Sequence, residues 1–100
     1  MQSKLYGFFY TMVILALASC TNYGKVYKSK DNNAKYQLAT ELYAKKDYSR
    51  AVPLFEQLRD AYRGNADSLE IVYINTAYSY FYMKDYEYAS MFFKDFTDNF

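Results

Sequence analysis

One hundred residues allow one small domain, and three glycines with one proline leave too few turn and strand breakers for a sandwich or barrel, so a mostly helical chain is expected. Aromatic residues make up 22%, carried by 14 Tyr and 8 Phe with no Trp, which supplies ample apolar surface for a core. A formal net charge of +1 argues against a polyanion such as nucleic acid, and the chain has no histidine and a single cysteine, the types that many catalytic and metal sites draw on.

Residues 1–4 are weakly cationic, residues 5–17 are almost wholly apolar, and the run closes on Leu17-Ala18-Ser19-Cys20. That order predicts a signal peptide over residues 1–19. Its thirteen apolar residues fall short of the roughly 20 that span a bilayer, and small Ala18 and Ser19 suit a peptidase subsite. The close resembles the bacterial lipobox, which implies a diacylglyceryl group on Cys20, cleavage just before it, and acylation of the new amine. The alternatives are an ordinary signal in which the cysteine is coincidental, or a buried cysteine in a cytosolic helix. A lone thiol has no internal disulfide partner, whereas two or more acyl chains hold a protein at a membrane, each buried methylene contributing about 0.8 kcal/mol. This covalent lipid on Cys20 is the only non-protein group expected; no cofactor or metal is.

Residues 20–33 are polar, include Lys25, Lys28, Lys30 and Asp31, and show no sustained period, so they read as a tether. Tyr23, Val26 and Tyr27 either lie back on the first helix or dip toward lipid headgroups, and the sequence leaves both open. Thr21 stands where an aspartate would favour inner-membrane retention in some bacteria, so the lipobox resemblance leans to the outer membrane. The chain is electrically lopsided: residues 21–63 carry nine Lys/Arg against five Asp/Glu, and residues 64–100 two against six. That asymmetry either orients a partner or draws neighbouring repeats together.

Two copies of one pattern fill the rest. Lys46-Asp47-Tyr48-Ser49-Arg50-Ala51-Val52-Pro53-Leu54-Phe55 returns 38 residues later as Lys84-Asp85-Tyr86-Glu87-Tyr88-Ala89-Ser90-Met91-Phe92-Phe93. Ala39/Ala77, Ala51/Ala89 and Phe55/Phe93 also correspond, and helical spacing within a fixed period of this size marks an α-solenoid. The expected fold is all-α: two antiparallel helix hairpins, with helices at about 34–46, 49–62, 67–84 and 86–100, forming a first repeat over 34–63 and a second over 64–100 of a longer array. In the first helix Leu38, Ala39 and Leu42 form the packed face. In the second, Ala51, Phe55, Leu58 and Tyr62 do so, with Asp47 or Ser49 as N-cap and Pro53 favouring the later start or a bent first turn. Gly64 suits a left-handed C-terminal turn, and Asp67-Ser68-Leu69-Glu70 looks like a capping box. Tyr73, Ala77 and Tyr80 form the packed stripe of the third helix, and the fourth repeats the second through Ala89, Phe93, Phe96 and Phe100.

These paired small residues, with the aromatics Tyr48/Tyr86 and the Asp-Tyr-x-x-Ala turn, resemble the tetratricopeptide repeat. They depart from it at Lys35 and Ala39, where Trp and Gly are usual, and in the longer period. With the lipidated Cys20, Tyr23-Gly24-Lys25-Val26-Tyr27-Lys28-Ser29, Lys35-Tyr36 and the run from Lys46 to Glu56, the chain resembles the N-terminus of the outer-membrane β-barrel assembly lipoprotein (BamD) family. That resemblance implies a lipid-anchored scaffold on the periplasmic side of the outer membrane. Its partners would be the POTRA domains of the barrel-inserting protein and unfolded barrel precursors.

For such clients the inner stripes Tyr36, Thr40, Tyr43 and Ile74, Tyr78, Tyr82 would present apolar bodies with hydroxyl tips. The alternative is that these tyrosines are core and inter-repeat packing. The carboxylates are scattered, no phosphate loop or nucleophile elbow is present, and catalysis is not expected. Two other readings remain open: a SusD-like glycan-binding lipoprotein of the outer surface, and a repeat adaptor of the cell envelope. The basic tether favours the inward face.

Overall fold

The structure, a computed structural model, describes residues 22–100. The expected signal peptide, Cys20 and Thr21 lie outside the described residues. The chain divides between Lys30 and Asp31 into two units.

In the first unit residues 22–28 form helix α1, where no sustained period is legible in the sequence. A short stripe accounts for it: Tyr23, Val26 and Tyr27 stand at helical spacing, and the Tyr23 and Tyr27 rings stack 6.1 Å apart. Ser29 closes the turn, its N–H (3.1 Å) and its hydroxyl (2.7 Å) both donating to the Val26 carbonyl.

The second unit holds α2 (Asn32–Ala44), α3 (Tyr48–Ala61), α4 (Ala66–Tyr82) and α5 (Tyr86–Asn99), so the expected all-α class is observed, with helices the only regular elements among the described residues. Each helix packs on the next in sequence, and cross-contacts show the direction reversing each time. Tyr36, early in α2, meets Tyr62 just after α3, while Tyr43, late in α2, meets Tyr48 at the start of α3. Glu56 and Arg59 of α3 reach Tyr80 and Tyr73 of α4 in reverse order. Phe81 near the end of α4 meets Tyr86 opening α5, and Tyr73 meets Phe100.

The core centres on α3, which lies between α2 and α4. Ala51, Leu54, Phe55 and Leu58 are fully buried there with Val52 close to it, and Ala39, Leu42, Val72, Ala77, Ala89 and Phe92 complete the interior. The expected small-residue contacts at Ala39, Ala51, Ala77 and Ala89 are thus all inside, at 0 to 2% exposure. Lys35 is also buried, at 8% exposure, which a long aliphatic stem permits. Leu38, expected on the packed face, is only half-buried.

Phe93 is another difference. The repeat pairs it with fully buried Phe55, yet Phe92 takes the interior place in α5 and Phe93 is half-buried against Tyr78. α3 is covered by two helices and so buries both Leu54 and Phe55, whereas α5 packs on α4 alone among the helices that make extensive contacts with it. In α4 the expected stripe splits: Ala77 is buried, Tyr73 and Tyr80 are half-buried against α5, and a row of Val72, Thr76 and Ser79 is interior instead. The two hydroxyls are accommodated because each donates 2.7 Å to a carbonyl one turn back, Thr76 to Val72 and Ser79 to Asn75.

The helix ends correct the expected boundaries. α2 and α4 stop at Ala44 and Tyr82 rather than running to Lys46 and Lys84, because those two lysines take left-handed φ values of 63° and 65°. In both turns the same pair of bonds closes the helix: Lys46 and Asp47 N–H donate to Tyr43 and Leu42 carbonyls, and Lys84 and Asp85 N–H to Phe81 and Tyr80. This is the Schellman arrangement, with lysine where glycine is usual. Gly64 does adopt the expected left-handed form, at φ 91°.

At the N-termini, Asp31 caps α2 through its bond from the Ala34 N–H, so the helix begins two residues before the expected Ala34. Asp47 holds the cap position of α3, but its carboxylate accepts from Arg50 Nε at 2.6 Å instead of a backbone N–H. Pro53 sits inside α3 and does not delay its start to Ser49. Asn65, not Asp67, caps α4, accepting from the Ser68 N–H, so the expected capping box does not form. Asp85 caps α5, accepting from the Tyr88 N–H.

Candidate functional site

The left-handed turn at Lys46 folds the chain back so that Tyr48, the first residue of α3, returns to Tyr43 with ring centroids 5.6 Å apart, edge to face. The equivalent turn at Lys84 sets Phe81 and Tyr86 in the same relation, at 5.7 Å. From the first pair an aromatic ladder extends in both directions. Inward, Tyr43 meets buried Phe55 at 6.4 Å. Outward, Tyr48 stacks on Tyr82 at 5.1 Å, Tyr82 on Tyr78 at 6.1 Å, and Tyr78 meets Phe93 at 5.1 Å.

The ladder runs from a dry end to a wet one, since Phe55 is fully buried while Tyr78 and Tyr82 are 40% and 51% exposed. Partial burial, with the phenol groups of Tyr82, Tyr48 and Tyr78 close by, pushes the Tyr43 hydroxyl above its usual pKa. The four tyrosines thus form one continuous chain of ring contacts. The surface they make is uncharged, with ring faces for apolar contact and hydroxyls able to donate or accept. Phe81 (46% exposed), Tyr86 (58%) and Met83 (36%) extend it around the turn after α4.

Of the six expected groove residues, Tyr43, Tyr78 and Tyr82 meet in this cluster. Tyr36 lies at the other end of α2 with Tyr62, 6.3 Å between centroids, and Tyr62 also donates to the Asn32 carbonyl at 3.5 Å. Burial first, and then Tyr36, raises the Tyr62 pKa. The Thr40 hydroxyl is turned onto its own helix, 3.0 Å from both the Tyr36 and Gln37 carbonyls. Ile74 is half-buried. Tyr48 was not foreseen as part of the surface, although its recurrence as Tyr86 at the repeat offset is a signal that could have found it.

A second aromatic group is structural. Tyr80 stacks on Phe92 at 5.5 Å and on Tyr88 at 5.2 Å, Tyr73 meets Phe92 and Phe100, and the Arg59 guanidinium lies 5.3 Å over Phe92. Tyr80 donates to Glu56 at 2.7 Å, and burial followed by this carboxylate raises its pKa strongly. A shallow groove of about 330 Å³ lies beside this group, lined by Gly64, Ala66, Leu69, Tyr73, Asn99 and Phe100.

Among the described residues no group of three His, Cys, Asp or Glu is placed to hold a metal ion, and no helix is long and apolar enough to cross a membrane. The chain matches no known family model, curated protein or solved structure.

Proposed function

We propose that this chain is a lipid-anchored scaffold of tetratricopeptide-like repeats, working on the periplasmic side of the outer membrane in β-barrel assembly. It would be the N-terminal part of a protein of the BamD kind, tethered through acylated Cys20 and receiving unfolded barrel precursors. The observation that carries the reading is the tyrosine cluster of half-buried Tyr43 and Tyr48 with exposed Tyr78 and Tyr82, built by a turn that recurs in both hairpins. Barrel precursors are extended and rich in aromatic residues, and stacked phenols offer them ring contact without an electrostatic requirement. The Leu17-Ala18-Ser19-Cys20 close and the basic residues after it support attachment and an inward orientation.

Crosslinking in cells tests the client surface. Tyr78→Ala with Tyr82→Ala should weaken crosslinks to barrel precursors at least several-fold while far-UV circular dichroism keeps its helical signal. Undiminished crosslinking removes the proposal. The same exposed stacked rings suit a sugar face, which favours glycan capture as the second reading. Protease treatment of intact cells separates the two, because digestion of the protein in unbroken cells places it outside and supports glycan capture.

A further inference from the structure

We infer that residues 22–30 form a binding site for anionic phospholipid headgroups, independent of the client surface and of which partners the helical unit serves. Tyr23, Val26 and Tyr27 share one face of α1, and Lys25 and Lys28 fall on the opposite face by helical spacing. Lys30 follows directly, and no acidic residue occurs from 21 to 30, so the segment carries three positive charges without internal compensation.

Two observations fix the ligand class. Tyr27 is 40% exposed although it belongs to the apolar face, and tyrosine combines a ring suited to the acyl boundary with a hydroxyl suited to the headgroup layer. Lys25, Lys28 and Lys30 are all exposed, which complements a negative surface. A helix is about 10 Å across, so lysines on its far side stay within about one Debye length of a membrane touched by Tyr27. Each lysine near an anionic leaflet strengthens attachment roughly fivefold. A basic helix with an aromatic face is the pattern of an interfacial segment.

The chain has no tryptophan, so Tyr27→Trp in the full chain is a unique reporter. The probes are vesicles of phosphatidylcholine alone and of phosphatidylcholine with phosphatidylglycerol. The site predicts a blue shift of Trp emission and stronger partition with the anionic vesicles. Lys25→Gln, Lys28→Gln and Lys30→Gln together should reduce the anionic preference roughly 100-fold. With the lysines intact, 1 M salt should abolish it, the Debye length then being about 3 Å. Residues 5–17 carry no charge, and Lys4 is common to both chains, so the anionic preference lost on substituting the three lysines is the quantity read. Equal emission with both vesicle types, or a preference that survives both the substitutions and the salt, overturns the inference. A Trp already blue-shifted without vesicles and unchanged by them shows the face packed on protein, and overturns it equally.

Discussion

Lys46 and Lys84 hold the left-handed conformation that glycine adopts without steric cost, and each does so to complete a Schellman turn. A side chain there costs on the order of 1 kcal/mol. Lys46→Gly and Lys84→Gly are therefore each expected to stabilise the fold by about 0.5–1 kcal/mol, read from urea unfolding midpoints at unchanged slope. Gly64→Ala should do the reverse by a similar amount, since Gly64 sits at φ 91° with open space around it and pays only the backbone penalty. At Tyr80 the consequence is in pH dependence. Its pKa lies above the tyrosine value of 10 in the folded chain, so the folded state retains a proton that the unfolded state has given up. Tyr43 and Tyr62 act in the same direction. The stability they confer is complete below pH 10 and is lost as pH rises toward their folded values. Tyr80→Phe should flatten the alkaline part of the stability curve, and an equally steep fall in that variant would assign the loss elsewhere.

Between elements, closeness depends on short side chains. Ala51 is fully buried where α3 lies between its neighbours, and Ala51→Leu should cost about 1–3 kcal/mol through overpacking. Ala44→Leu, at an exposed position of α2, should change stability by less than about 0.5 kcal/mol and serves as the control. The helical class, the repeat offset and the buried alanines were legible in the sequence because apolar spacing and small-residue positions follow directly from helix packing. The helix ends were less so. Nothing about Lys46 or Lys84 announces a left-handed residue, and the capping choice between Asn65 and Asp67 is decided by which carbonyl begins the helix. Thr76 and Ser79 were missed as interior residues because a polar side chain conceals its own solution, a bond to the preceding turn. The stacking of Tyr78 on Tyr82 was legible, since i, i+4 spacing places them together. The cross-helix meeting with Tyr48 depends on the turn, which a periodic pattern along one helix does not encode.

At the level of the molecule, the proposal joins an anchor, a basic interfacial segment and a helical unit with an uncharged aromatic surface. Attachment through Cys20 predicts incorporation of labelled palmitate that disappears in Cys20→Ser, and persistence of label in that variant would remove the anchor from the account. The most direct test of the docking surface is titration of the isotopically labelled chain with an unfolded, aromatic-rich segment of a barrel precursor, followed by site-resolved NMR. The account predicts the largest perturbations at Tyr43, Tyr48, Tyr78 and Tyr82, with Tyr36 and Tyr62 at the far end of the first hairpin little changed. Saturable binding that shifts Tyr36 and Tyr62 while leaving Tyr78 and Tyr82 unmoved would contradict it.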